Sequence, residues 1–333
     1  MPRAGGVRAL AAVTGLGGAG LGALAFRRYR RDIRGARERV TAGGTVMETS
    51  HGPIEFGSEG DGPPVLVVHG AGGGFDQGLE IAEPLVRTGF RVVAMSRFGY
   101  LRTPLPIDAS PAAQADAHAS LLDALDIPRA AVIGASAGAP SSMQFALRHP
   151  DRAAALVLLV PLAYPAGAEQ RPHKAAPVRI PAAAQFLFDA ALASDFLFWV
   201  ASRVARGALI RAILGTPPSA LRTASDSERA RIARVLDHIQ PLSMRRPGLL
   251  NDLVVARSLP RYELESIAAP TLVLGVADCL YGTYAGARYS AEHIPEGRFV
   301  SYPDGGHLLV GHQAEAMDEI AEFLRTAAPV GDS

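Results

Sequence analysis

Gly134-Ala135-Ser136-Ala137-Gly138 sets a hydroxyl between two glycines, each two residues away. The apolar run 130–135 before it reads as a strand, and residues 137–149 after it read as a helix that ends before Pro150. A serine on such a sharp strand–turn–helix connection presents its Oγ at the end of a sheet, where it can attack a carbonyl carbon. The backbone there is strained, and side chains two residues either side would strike the neighbouring strand and helix. Pro140 falls in the first helical turn, where a missing N–H costs little. The same five residues would also fit a small-residue helix start in a Rossmann-like fold, and the other motifs weigh against that reading.

The second chemical signal is His69-Gly70-Ala71-Gly72-Gly73-Gly74, directly after an apolar run. Acyl transfer needs two backbone N–H groups aimed at the oxygen that becomes negative. One is the N–H of Ala137, just after the serine and near a helix N-terminus. The other comes from the Gly-rich loop, from Ala71, with Gly72 as the alternative. A phosphate-binding loop fits poorly, because no G-x-G-x-x-G and no Lys-Ser/Thr follows. His69 reads as structural rather than as a base.

These residues need a frame that brings distant loops together. Residues 45–50 and 53–57 read as two short opening strands, turning at His51-Gly52. Strands follow at 65–68, 91–96, 130–135 and 154–160, with helices at 76–88, about 110–126 and 137–149 between them. Such alternation implies an α/β fold with a mostly parallel sheet and helices on both faces. It breaks after residue 161. About one hundred residues of helical periodicity follow, with aromatic residues at Phe186, Phe188, Phe196, Phe198 and Trp199. Strands return at 271–275 and 298–302, and a helix over 313–326 closes the pattern. The expected organisation is an N-terminal segment 1–44, a core of residues 45–160 and 262–328, and an inserted helical cap 161–261.

Over residues 50–327 the chain resembles enzymes of the α/β-hydrolase fold. The resemblance rests on HGAGGG at 69–74, SRFGYLRT at 96–103, GASAG at 134–138, GVAD at 275–278 and GGH at 305–307. It implies an eight-stranded sheet and the chain order nucleophile, acid, histidine. Ser136 then takes the first role. Asp278, three residues past Gly275 in the loop after a strand, takes the second. His307, just past the strand 298–302, takes the third. Rivals are weaker: Asp304 shapes the turn before His307, His312 opens the last helix, and His293 ends the preceding one. Cys279 reads as a small buried residue beside the acid.

The implied chemistry is attack by Ser136 with His307 as base and Asp278 orienting the imidazole, then hydrolysis of the acyl-enzyme. No metal or organic cofactor is required. A serine at 136 sets the chain apart from relatives that open epoxides or displace halides with an Asp nucleophile. Hydrolysis of a carboxylic ester of an apolar small molecule is the leading expectation. Cleavage of a carbon–carbon bond in a diketone, thioester cleavage and perhydrolysis use a similar triad and stay open, as does a non-enzymatic binding protein on the same fold. The aromatic residues of the insertion would line an apolar pocket or form the insertion's own core.

The totals set outer bounds. The chain has 333 residues, 48% hydrophobic and 20% charged, with a net charge of +1 that asks for no nucleic acid or other polyanion. One cysteine, Cys279, excludes a disulfide framework and a zinc site built from several thiolates. Residues 9–26, ALAAVTGLGGAGLGALAF, carry no charge and would span about 27 Å as a helix. A membrane anchor is the expectation here. A cleaved signal ending at Ala23-Leu24-Ala25 and a Gly-rich tail are the alternatives. The basic run from Arg27 to Arg39 would keep the catalytic domain on the cytoplasmic side and touch anionic headgroups, or would form a solvated linker helix. The sequence is silent on oligomeric state.

Overall fold

The computed structural model describes residues 5–164 and 194–327, with side chains from residue 22 onward. Eight strands form one sheet: β1 (Thr45–Thr49), β2 (Gly52–Glu59), β3 (Pro64–Val68), β4 (Arg91–Met95), β5 (Ala130–Ala135), β6 (Ala153–Leu159), β7 (Thr271–Val276) and β8 (Gly297–Tyr302). Their order is β1-β2-β4-β3-β5-β6-β7-β8. β1 and β2 form an antiparallel hairpin, and β2 is antiparallel to β4. The remaining pairings are parallel. β5 stands at the centre, hydrogen-bonded to β3 and β6.

The central strands are apolar because helices cover both faces. Leu66, Val93, Val132 and Leu156 point to one side, under α3 (Pro111–Ala124) and α4 (Ala139–Arg148). Val65, Val92, Ile133 and Val157 point to the other, under α2 (Phe75–Arg87) and α11 (Gln313–Ala327). α3 starts where the sequence signals it: the Ser110 side chain accepts from the Ala113 N–H and Pro111 follows. α10 (Tyr284–His293) links β7 to β8.

Between β6 and β7 the described residues form five helices: α5 (Asp195–Val204), α6 (Arg206–Ile213), α7 (Pro218–Thr223), α8 (Asp226–His238) and α9 (Arg246–Ser258). They carry their own apolar cluster, built on Phe198, Leu209, Ile210, Ile232 and Leu236. Phe186 and Phe188 lie outside the described residues. Phe198 is core to the insertion, whereas Phe196 and Trp199 pack against Tyr29. The described aromatic residues of the insertion therefore serve packing, Phe198 within the insertion and Phe196 and Trp199 against α1.

The N-terminal expectation needs correction. Residues 9–26 belong to α1 (Gly5–Ala42), which runs without a break through the basic run. Among the described residues no helix is long and apolar enough to cross a membrane. Gly and Ala supply 11 of the 18 residues 9–26, and each buries little apolar surface. The membrane-anchored placement, with its cytoplasmic orientation, falls with that finding. The far end of α1 docks on the protein instead. Ile33, Ala36 and Val40 are buried, and Arg39 donates to the carbonyl of Gln240 at 2.7 Å.

Candidate active site

Ser136 stands at the C-terminal end of β5 with φ +50°. This left-handed conformation is costly for a residue with a Cβ and is held by its surroundings. The flanking glycines are required by close approach. A Cβ on Gly138 would sit 2.3 Å from the carbonyl oxygen of Val68, and one on Gly134 would sit 2.9 Å from Cα of Ala139. The first turn after Ser136 is a 3₁₀ turn, Ser136–Gly138, before α4 begins.

Across from it, Nε2 of His307 lies 2.8 Å from Ser136 Oγ. His307 projects from the loop after β8, where Gly305, Gly306 and Leu309 all have positive φ. Burial lowers its pKa from 6.5 to about 4, so the ring is neutral and able to accept a proton at neutral pH. The insertion braces this loop. The carbonyl of Gly215 accepts from the N–H of His307 at 3.3 Å and of Leu280 at 3.0 Å. From α8, Arg231 donates to the carbonyl of Leu308 and Glu228 accepts from the N–H of Gly311. The ring of Tyr281 meets the imidazole edge-on, with centroids 4.9 Å apart.

Asp278 departs from the expected geometry. Its Oδ1 accepts from the N–H of Gly306 at 2.7 Å, and it makes no hydrogen bond to the imidazole among the described residues. The ring's other nitrogen, Nδ1, faces Sγ of Cys279 at 3.3 Å. Cys279 is buried, as its small size suggests, yet it touches the base directly. The rival histidines are engaged elsewhere. His312 pairs with Asp304 at 2.9 Å, and His293 bonds the carbonyl of Tyr289.

In the Gly-rich loop, the N–H of Gly70 donates to Gln77, that of Gly72 to the hydroxyl of Tyr100, and that of Gly73 to the carbonyl of Gly70. Among the described residues, the N–H groups of Ala71 and Ala137 have no such partner. That favours Ala71 over Gly72 as a donor. The loop lies against the serine, with a Cβ on Gly70 only 3.2 Å from that of Ser136. His69 is fully buried, bonds the carbonyl of Gly70 through Nδ1 and accepts the N–H of Arg97 at Nε2. Burial first, and Arg97 second, hold it neutral. It is structural.

Several site-supporting residues escape sequence reasoning. Arg97 grips Asp252 of α9 through two 2.7 Å bonds, and the hydroxyl of Tyr100 donates to the same carboxylate. Arg245, fully buried, pairs with Asp76 at the start of α2 and donates to the carbonyl of Gly73. These contacts tie the insertion to the Gly-rich loop.

The α/β hydrolase fold family matches residues 63–311. The chain belongs to that family. It is similar to the pimeloyl-[acyl-carrier protein] methyl ester esterase of Chromobacterium violaceum, with 29% identity over 81% of this chain and 97% of that one. It is 36% identical to the 2-hydroxy-6-oxononadienedioate/2-hydroxy-6-oxononatrienedioate hydrolase of Paraburkholderia xenovorans, over 32% of this chain and 39% of that enzyme. Two further relatives match over equally short stretches, 37% and 40% of their own length, so the chain spans less than half of these proteins. An α/β hydrolase fold protein from Nakamurella multipartita superimposes with a TM-score of 0.61 and 27% identity, covering 85% of this chain and 99% of its own. Its relatives thus include a methyl ester esterase and several hydrolases.

Proposed function

We propose that this hydrolase cleaves the carboxylic ester of an apolar small molecule through an acyl-enzyme on Ser136. The 2.8 Å contact between Ser136 Oγ and His307 Nε2 carries the reading. His307 takes the hydroxyl proton as Oγ bonds to the carbonyl carbon. The N–H groups of Ala71 and Ala137 hold the resulting oxyanion, and His307 returns the proton to the departing alcohol oxygen. Water then attacks the acyl-serine, giving its proton to His307, and the acid leaves as the serine is restored. Asp278 is the acidic member of the set, acting through Gly306 on the backbone from which the base projects. Residues 161–261 act as a cap over a core of residues 45–160 and 262–328, and residues 1–44 lie outside that core.

The esterase relative, aligned over nearly its full length, favours an ester over a carbon–carbon bond. The edge-on Tyr281 and the exposed Leu280 beside His307 favour an apolar group in the substrate. A serine-directed fluorophosphonate should label the wild-type chain and leave Ser136→Ala untouched. Hydrolysis of p-nitrophenyl esters of graded acyl length should fall by about four to six orders of magnitude in the same variant. Near-normal turnover in folded Ser136→Ala would sink the reading.

A further inference from the structure

We infer that the docked end of α1 positions the Gly-rich loop for catalysis, with Arg39 as the positioning residue, so that the oxyanion donor Ala71 is aimed from outside the α/β core. This inference rests on the serine-hydrolase reading of the site. Two routes run from α1 to residues 73–76, where the loop ends and α2 begins. The first is ionic. Nε of Arg39 lies 3.8 Å from Oδ2 of Asp76, in the first turn of α2. Arg245 of the insertion grips the same carboxylate at 2.7 and 3.1 Å and donates to the carbonyl of Gly73. Asp76 thus stands between two guanidinium groups, one from α1 and one from the insertion. Arg39 is itself held by the carbonyl of Gln240 at 2.7 Å.

The second route is packing. The chain leaves α1 through Gly43 and Gly44, against the buried ring of Phe75. A Cβ on Gly44 would sit 2.7 Å from that ring, and one on Gly57 of β2 would sit 2.9 Å from it. Hydrogen bonds follow the same path. Arg102 donates to the carbonyl of Gly44 and pairs with Glu55 at 2.6 Å. Glu55 accepts from the hydroxyl of Ser96 at 2.9 Å, and that hydroxyl accepts from the N–H of Phe75 at 3.1 Å. The loop needs such support. Four of residues 69–74 are glycine, which has little conformational preference of its own. The other end of the loop is tied by the bond from Arg97 to the carbonyl of His69. The direction of the Ala71 N–H then follows from where residues 73–76 are held. A donor misplaced by about 1 Å can cost about 100-fold in rate.

The test compares the full-length wild-type chain with Arg39→Ala, Arg39→Lys and Arg37→Ala on p-nitrophenyl butyrate, each well below its melting temperature. Besides kcat and KM it reads inhibition by a trifluoromethyl ketone, whose adduct with Ser136 carries an oxyanion. Arg39→Ala should lose about 10–100-fold in kcat, with KM within about twofold, and should bind the ketone more weakly by a similar factor. Arg39→Lys keeps a charge beside Asp76 and should recover most of both losses. Arg37, on the same helix, pairs instead with Asp195 at 3.4 Å, and Arg37→Ala should match wild type in kcat and ketone affinity. If Arg39→Ala fails to fold, Arg39→Gln takes its place with the same expected losses. Wild-type kcat and ketone affinity in the folded variant, whatever its melting temperature, would overturn the inference, because α1 would then brace the fold alone. An equal loss in Arg37→Ala, or a loss confined to KM, would overturn it too. Failure of the underlying reading looks different: wild-type protein would resist both the ketone and fluorophosphonate, and Ser136→Ala would keep its activity.

Discussion

Arg97 and Asp252 meet through two parallel 2.7 Å hydrogen bonds, with both side chains only 8% exposed. Arg97 follows β4 in the core, and Asp252 sits on α9 of the insertion. The guanidinium also donates to the carbonyl of His69, at the start of the Gly-rich loop. One buried pair thus joins the insertion to the loop that faces Ser136. Removing one partner strands the other charge out of water.

Asp252→Ala should therefore cost about 3–5 kcal/mol of stability, because Arg97 is left buried and uncompensated. Replacing both, with Arg97→Met and Asp252→Leu together, should recover much of that loss, since two apolar groups of similar volume leave no orphan charge. Urea unfolding of the two variants checks this. A double variant as unstable as the single one would show that the bidentate geometry, and not the stranded charge, sets the cost.

Acid should weaken the fold before the carboxylates titrate. Burial lowers His118 from 6.5 to about 3 and His307 to about 4. Between pH 6.5 and those values the unfolded chain binds protons that the folded chain does not. Stability then falls as pH is lowered through this window, by about 1.4 kcal/mol per unit for each histidine. From pH 7 to pH 5 the two together should remove about 4 kcal/mol. His118→Leu should show a shallower dependence, by the share of one proton. Urea midpoints that stay flat from pH 7 to pH 5 would contradict these shifts.

Much of the site is legible in the sequence because its constraints are local. The glycines around Ser136 and the GGH before His307 answer to backbone clashes and positive φ, which leave a mark on residue type at fixed spacing. The parallel sheet is legible for a similar reason: strands buried on both faces are short apolar runs between helical stretches. Asp252 and Asp76 carry no such mark. Their partners lie 155 and 169 residues away, and a lone acidic residue on a helix reads as solvated. The order Asp278-Cys279 shows which residue types are at hand but not which side chain the turn aims at the imidazole. The stretch 9–26 is free of charge without being strongly hydrophobic, since glycine and alanine make up most of it, so its lack of charge alone does not mark a membrane span.

Gly138 should tolerate no side chain. A Cβ there would meet the carbonyl oxygens of Val68 at 2.3 Å and His69 at 2.7 Å, both of them backbone atoms that cannot rotate away. Gly138→Ala should cost at least the roughly 1–3 kcal/mol typical of overpacking, and it should displace Ser136 from His307. Gly35→Ala on α1 is the control, since nothing lies within 4 Å of the added carbon. It should gain up to about 1 kcal/mol from helix propensity. Thermal unfolding of the pair, with fluorophosphonate labelling rates, separates the two effects. Equal stability of both variants would mean the elbow yields more than its packing implies.

The docked end of α1 is reported by the only tryptophan in the chain. Trp199 is 7% exposed and donates its Nε1–H to Asp32 at 3.1 Å, with Tyr29 edge-on to its ring and Arg203 above it. A chain starting at residue 22 keeps all of these contacts. It should match the full chain in tryptophan emission and in melting temperature. A chain starting at residue 41 loses Tyr29, Asp32 and the buried Ile33, Ala36 and Val40, along with the bond from Arg39 to Gln240. Its emission should shift to the red as water reaches the indole, and its melting temperature should fall. Asp32→Ala should reproduce part of the spectral shift with a smaller loss of stability. Identical emission from the two truncated chains would show that α1 does not cover Trp199 in solution.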